Sequence, residues 1–204
     1  MTAPATPPAP SGPLVWERVW IGMGANVGDR LAALQGAIDR LALHGEIRVE
    51  AVSSVWETEA HVLPGQAPQP DHLNAAAQLC TRLAPDALFG VLHEAERAAG
   101  RDPEAPRWSP RPLDLDVLLW GARGLCTPRL TIPHPRLAER RFVLAPLAEI
   151  VPDLVVPGTG QTVAALLAAT PDSARVRPAH TSLGLPTRDA APGDLPASGD
   201  LAAP

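Results

Sequence analysis

The chain has no lysine and no tyrosine, and only two phenylalanines and two cysteines among 204 residues. Without lysine there is no P-loop cation, since that motif needs a lysine after its glycines to reach the phosphates. All 17 basic residues are therefore arginine. Together with 25 prolines and abundant alanine, this bias fits a GC-rich coding sequence and carries no functional message. Cys80 and Cys126 fall short of a disulfide framework or a zinc site. No apolar run approaches the ~20 residues of a membrane span. The net charge of -5 supplies no general field for nucleic acid. A reduced, cytoplasmic, monomeric protein with small-molecule partners, no nucleic acid and no membrane is expected.

What is present fits one domain with tails. Residues 1–14 are rich in Pro, Ala and Thr and have no basic residue ahead of an apolar stretch, so they predict a disordered tail and not a signal peptide. The domain is expected over 15–172, with a second Pro/Ala/Gly/Asp-rich disordered tail over 173–204.

Val15 to Gly24 is apolar and strand-like, then breaks at Gly24-Ala25-Asn26-Val27-Gly28-Asp29-Arg30, with Gly24 and Gly28 read as turn glycines. Leu31, Leu34, Ile38 and Leu41 then make one helical face. A second strand is expected over Ile47–Thr58. It is followed by a polar, Pro-rich loop to Pro70, long enough to be a binding loop.

A third strand, from His72 to Arg82, alternates Leu73, Ala75, Ala77 and Leu79 against His72, Asn74, Ala76 and Gln78. Pro85 suits a first helical turn, Leu88, Leu92, Ala95 and Ala99 make the buried face, and Gly100 suits the C′ position. His93, Glu96 and Arg97 lie off that face, where solvated side chains are expected.

The chemistry concentrates in Arg107-Trp108-Ser109-Pro110-Arg111-Pro112-Leu113-Asp114-Leu115-Asp116-Val117-Leu118-Leu119-Trp120. As a strand, it puts Leu113, Leu115, Val117 and Leu119 on one face and Asp114, Asp116, Leu118 and Trp120 on the other. Two like charges about 7 Å apart on one strand repel unless a cation lies between them, and hard oxygen ligands suit magnesium. Arg111 brings a guanidinium to the same place, which is what polyphosphate transfer needs. The competing reading is a solvated sheet face with Arg111 as surface counter-ion. Strand, helix, strand, strand, helix, strand is the split βαβ or ferredoxin-like α+β order, with an antiparallel sheet, helices on one face and a small C-terminal extension. Asp114, Asp116, His72 and Asn74 would then share the open face.

Several blocks in order resemble the 6-hydroxymethyl-7,8-dihydropterin pyrophosphokinase family over about residues 20–169. They are Gly22-Met23-Gly24-Ala25-Asn26-Val27-Gly28-Asp29, Ser53-Ser54-Val55-Trp56-Glu57-Thr58, Leu73-Asn74-Ala75, Gly100-Arg101, Arg107-Trp108-Ser109-Pro110-Arg111 with Leu113-Asp114-Leu115-Asp116, and Ile132-Pro133-His134-Pro135 with Arg140 and Phe142-Val143-Leu144.

The resemblance implies transfer of diphosphate from ATP to the hydroxymethyl group of the reduced pterin, releasing AMP, in folate biosynthesis. It implies two magnesium ions on Asp114 and Asp116, with Arg101 and Arg111 closing over the phosphates as catalytic residues. His93, Glu96, Arg111, Val117, Arg129, Thr131, His134 and Arg140 would bind ATP. Thr58, His72, Asn74, Trp108, Asp114 and Phe142 would bind the pterin. The loop from Arg101 to Trp108 would be a lid that excludes water.

Three positions depart from the family's pattern: His72 in place of an aromatic ring, His93 in place of Gln, and Asp102-Pro103 in place of a second basic residue. Weaker or pH-sensitive stacking and a less positive lid are expected. Two other classes remain open from the residues alone. A palm-like two-metal nucleotidyl transferase or cyclase would want a basic stripe, and a ferredoxin-like RNA-binding module would want exposed aromatics on the central strands.

Overall fold

The computed structural model of the chain describes residues 15–59, 69–106 and 109–186. In order they form β1 (Glu17–Ala25), α1 (Arg30–Ala42), β2 (Ile47–Val52), β3 (Ser54–Thr58), β4 (His72–Thr81), α2 (Pro85–Ala98), β5 (Asp114–Trp120), β6 (Leu125–Cys126), β7 (Thr131–Ile132), α3 (Arg141–Ile150), α4 (Val163–Ala169) and β8 (Val176–Ser182). Each strand pairing is antiparallel, and the main sheet runs β5-β1-β4-β3-β8 with β2 also on β4. The expected α+β class holds. Among the described residues no helix is long and apolar enough to cross a membrane.

Local chemistry explains most element ends. Asp29 caps α1, its side chain accepting from the Ala32 amide at 3.0 Å. The buried stripe of α1 is Leu34, Ala37, Ile38 and Leu41, while Leu31 stays exposed in the first turn. The α2 helix opens with Pro85 at its first position and closes at Gly100, whose φ of +92° suits glycine. There the Gly100 amide donates to the Arg97 carbonyl and the Arg101 amide to the Glu96 carbonyl, a Schellman closure. That closure sets where Arg101 leaves the helix.

Three expectations need correction. The single strand over 47–58 is two, because buried Ser53 breaks it: its amide donates to the Ala76 carbonyl and its hydroxyl accepts from the Ala76 amide, both at 2.9 Å. The second sheet face is not open along its length, because Trp20, Ala76, Leu118 and Leu119 pack with Leu144 and Leu147 of α3 and Val163 and Leu166 of α4. At ~1.5–3 kcal/mol per fully buried large side chain, that second core is a substantial part of the fold. It confines the polar site to the end of the sheet where Asp114, Asp116, Asn74 and His72 lie.

The third correction concerns the tail expected from 173. Over 173–186 the chain forms β8, which pairs with β3 (Thr58 with Val176, Glu57 with Arg177), buries Leu183 and places Gly184 against Gln35. The strand is polar and Pro-containing, as suits an edge. Residues 1–14 and 187–204 lie outside the described residues, as does the middle of the loop expected over 59–70.

Candidate active site

Strand β5 carries the two carboxylates as alternation requires, with Leu113, Leu115 and Val117 in the core beneath α1 and α2. The alternation fails beyond Val117. Ile21 pairs with Val117 but Trp20 pairs with Leu119, so Leu118 is an extra residue on β5. Leu118 and Leu119 therefore both join the core under α3, and Trp120 turns to the other side, the reverse of the expected placement of Leu119 and Trp120. The bulge lies past the site, so Asp114 and Asp116 keep their shared face.

The β1 register leaves that face clear, because Gly24 pairs with Asp114 and Gly22 with Asp116. Gly24 is thus a strand residue facing the site and not the turn glycine expected, whereas Gly28 (φ +68°) is in the turn. A Cβ on Gly24 would lie 3.2 Å from Oδ1 of Asn74. Asn74 is buried and cannot easily yield, since its Nδ2 donates to the Thr58 hydroxyl at 2.7 Å. Gly24→Ala is expected to cost about 1–2 kcal/mol of stability by overpacking. It should also raise the KM of whatever Asn74 binds without changing that of a ligand in the wider cleft. Steady-state kinetics for both substrates would check this, and equal effects on both would refute it.

Asp114 anchors the charged cluster. Its Oδ1 accepts from Nη1 of Arg101 at 2.8 Å and from Nη1 of Arg111 at 2.9 Å. Arg101 also donates to Oε1 of Glu96. Glu96 is 1% exposed, so the expectation of a solvated Glu96 is overturned. Its Oε1 also accepts from the Leu115 amide at 2.7 Å, on the outer edge of β5, and its Oε2 meets Nδ1 of His93 at 2.6 Å. One helical carboxylate therefore satisfies an edge-strand amide, a guanidinium and an imidazole.

Arg111 is held by Asn26, which sequence reasoning left unassigned. Asn26 is 1% exposed, its Oδ1 accepts from the Arg111 amide at 2.8 Å, and its own amide donates to the Arg111 carbonyl. The sequence signal was available, because an Asn between two glycines at a strand end is suited to tying loops together.

Asp116 lines two cavities. A cleft of about 290 Å³ is lined by Asp116, Val117, Arg129, Thr131 and His134, with Phe89 as an additional wall that sequence reasoning missed. A smaller cavity of about 30 Å³ is lined by Asn74, Asp114, Asp116 and Phe142, with Gly22 and Leu118. The linings thus hold Val117, Arg129, Thr131 and His134 of the expected ATP set and Asn74, Asp114 and Phe142 of the expected pterin set. Thr58 reaches the site through Asn74, and Arg140 through its guanidinium 5.6 Å from the Phe142 ring. His93, Glu96, Arg101, Arg111 and His72 stand around the two cavities and do not line them. Trp108 lies outside the described residues.

Electrostatics sharpen these roles. Burial, then the neighbouring Asp114 charge, pushes the Asp116 carboxyl up to about 6, with Arg140 and Arg101 opposing. Burial, then Arg140 and Arg136, pushes His134 down to about 4, so it offers a neutral imidazole at neutral pH. Burial also lowers His72, against the pull of Asp114, moving any pH sensitivity there below its ordinary range. Burial and Arg136 lower Arg140.

Among the described residues no three His, Cys, Asp or Glu side chains gather as a self-sufficient metal cage. The donor set is two carboxylates on one strand face beside open space. That suits magnesium arriving with a polyphosphate, an ion usually held by one or two carboxylates plus phosphate oxygens and water.

A family model described as 7,8-dihydro-6-hydroxymethylpterin-pyrophosphokinase matches residues 20–152. A 2-amino-4-hydroxy-6-hydroxymethyldihydropteridine pyrophosphokinase of Synechocystis is 44% identical over 147 residues, covering 72% of this chain and 73% of that protein. The Pseudomonas aeruginosa protein of the same name is 40% identical over 155 residues, covering 76% and 93%. Among solved structures, a triple mutant of the Plasmodium falciparum HPPK-DHPS protein matches with a TM-score of 0.62 at 12% identity, a likeness of fold. It covers 78% of this chain, which spans 45% of that longer one. With the match running from β1 past the end of α3 and taking in both carboxylates and the walls of both cavities, the chain belongs to the 7,8-dihydro-6-hydroxymethylpterin-pyrophosphokinase family.

Proposed function

We propose that this protein transfers the terminal diphosphate of ATP to the hydroxymethyl group of 6-hydroxymethyl-7,8-dihydropterin, giving AMP and the pterin diphosphate in folate biosynthesis. The observation that carries the reading is Asp116, which stands in the lining of both cavities. A reaction between two small molecules needs two sites that open on one reacting centre. Membership of the pyrophosphokinase family supports the choice of substrates.

In this reading the nucleotide occupies the wider cleft. Neutral His134 donates or accepts a hydrogen bond there without adding charge, and Arg129, Thr131 and Val117 hold the base and ribose side. Arg140, beside Phe142, faces the phosphates, while Glu96 and His93 act from behind by holding Arg101. The pterin enters at the smaller cavity, which at about 30 Å³ has to widen to admit it, with Asn74 on its amide-like edge, the Thr58 backbone beside it and Phe142 on its ring face. His72 takes the far side, and Trp108 completes the seal.

The alcohol oxygen attacks the β-phosphorus, the bond from that phosphorus to the α,β-bridging oxygen breaks, AMP leaves with the electron pair, and the alcohol proton passes to solvent. Arg101 and Arg111 now share one oxygen of Asp114 and turn to the phosphates as these arrive, adding positive charge where negative charge develops. Asp114 and Asp116 would hold two magnesium ions, which supply charge neutralisation for the polyphosphate and in-line orientation. No general base is required, because positioning and electrostatics dominate phosphoryl transfer.

The segment from Arg101 closes the site against water. Its departure from the family's basic pattern has a local use, since the Asp102 side chain accepts from the Glu104 amide at 2.9 Å and shapes the turn. The order from β1 to β5, with β5-β1-β4 and then β2 and β3, is read as a ferredoxin-like split βαβ core, and α3, α4 and β8 as its extension. A monomeric domain in the cytoplasm, running to β8, is part of the same reading.

With purified protein, ATP, magnesium and the reduced hydroxymethylpterin, the expected products are AMP and the pterin diphosphate ester. Formation of ADP, or turnover that needs nucleic acid, would refute the proposal.

A further inference from the structure

We propose that Asp172, beyond the stretch that the family model matches, is a positioning residue that sets the Phe142 wall of the pterin cavity against the β3 edge. The proposal rests on the assignment of that cavity to the pterin.

The first amides of a helix have no partner within it and need an acceptor from elsewhere. The α3 helix starts at Arg141, one residue before Phe142, and Arg140 at its N-cap supplies no side-chain bond. The acceptor comes instead from the segment after α4. Oδ2 of Asp172 accepts from the Arg141 amide at 2.8 Å, and the Asp172 carbonyl accepts from Nε of Arg141 at 2.9 Å. A carboxylate there also complements the positive end of the helix.

The same residue is fixed from its own segment, between α4 and β8. Oδ1 accepts from the Ala174 amide at 2.9 Å, and the Asp172 amide meets the hydroxyl of buried Thr170 at 3.4 Å. The chain then enters β8 within a few residues: the Arg175 carbonyl accepts from the Glu59 amide, and Val176 pairs with Thr58. Thr58 in turn holds Asn74. Through Asp172, the turn that presents Phe142 and the strand that supports Asn74 are therefore held to one another. At the other end of α3, Glu149 accepts from the Ser54 amide and from Nε1 of Trp56 on β3, at 2.8 and 2.7 Å. That contact steadies the far end of the helix on the sheet; at the first turn, where Val143 and Leu144 pack into the core, the polar tie is Asp172.

The test uses the full chain with Asp172→Ala and Asp172→Asn. For Asp172→Ala the expected result is a pterin KM raised about five- to tenfold, the fold-change that the loss of one helix cap corresponds to, with the ATP KM unchanged. Asp172→Asn keeps one accepting oxygen and should fall between wild type and Asp172→Ala. Hydrogen exchange of the substrate-free proteins should speed up over residues 139–146 and not over α2. A pterin KM equal to wild type, or both KM values rising together with general loss of exchange protection, would overturn the proposal. If the wild type turned over no pterin, the substrate assignment would fail instead, and exchange over 139–146 would still decide whether Asp172 holds that turn.

Discussion

Asp116→Asn is expected to abolish turnover and, at the same time, to stabilise the ligand-free protein. The two effects have one cause. Burial and the adjacent Asp114 push the Asp116 carboxyl up to about 6, well above its ordinary value of 3.8. Between those values the folded chain binds a proton that the unfolded chain has released, so the group's contribution to stability is lost as pH rises from about 4 through about 6. At pH 8 the full cost of a desolvated charge beside a like charge remains, on the order of 3 kcal/mol at 1.36 kcal/mol per pKa unit. Removing the charge should raise Tm by about 6–12 °C in a chain of this size.

The gain should shrink towards zero near pH 4.5, where wild-type Asp116 is already neutral when folded. Turnover should fall by about 10³ or more, because the carboxylate's place is to be neutralised by cations that arrive with the phosphates. Thermal melts at pH 4.5 and 8, with AMP release measured in parallel, check both arms. A variant that keeps a tenth of the activity, or melts below wild type at pH 8, would contradict the role given to Asp116.

Glu96→Ala should have the largest effect on stability. The substitution strands the Leu115 amide on the outer edge of β5 and removes the buried partner of Arg101 and His93. Breaking a buried ion pair by removing one member costs ~3–5 kcal/mol, and the partial exposure of Arg101 reduces this to about 3 kcal/mol. Urea melts should show that loss, with a Tm lower by about 6–10 °C. Activity should fall by a further ten- to hundredfold as Arg101 loses its direction. Glu96→Gln keeps an oxygen for the Leu115 amide and should recover about half the stability but little of the turnover. If Glu96→Ala melted within about 1 kcal/mol of wild type, the carboxylate would be a peripheral contact after all.

These two residues also mark the limit of what was legible in the sequence. Asp116 was readable because strand alternation is local: once Leu113, Leu115 and Val117 face the core, the residues between them face away. Glu96 was not, because helical spacing only placed it beside the apolar stripe. Whether such a residue is solvated depends on what packs over it, here the edge of β5 and Arg101. The same reason explains Leu119 and Trp120, whose faces were exchanged by a bulge opposite Trp20 that no single-strand pattern reveals.

The resemblance to a family supplied what spacing could not, namely the substrates. The geometry added the connections between its blocks: Asn26 to Arg111, Gly24 against Asn74, and Asp116 in the lining of two cavities.

By itself, the sequence determined the α+β alternation, the proline-started α2, the shared face of Asp114 and Asp116, and the alternation along β4 that carries Asn74 and His72. All of these follow from backbone periodicity and local hydrogen bonding. Tertiary structure alone decided that α3 and α4 cover part of the second face, that residues 176–182 close the sheet as β8, that Glu96 works from inside as an acceptor, and that the half-buried Asp172 accepts from the Arg141 amide. Those outcomes depend on which distant groups meet, and burial gives a polar side chain its role only once its partner is in place.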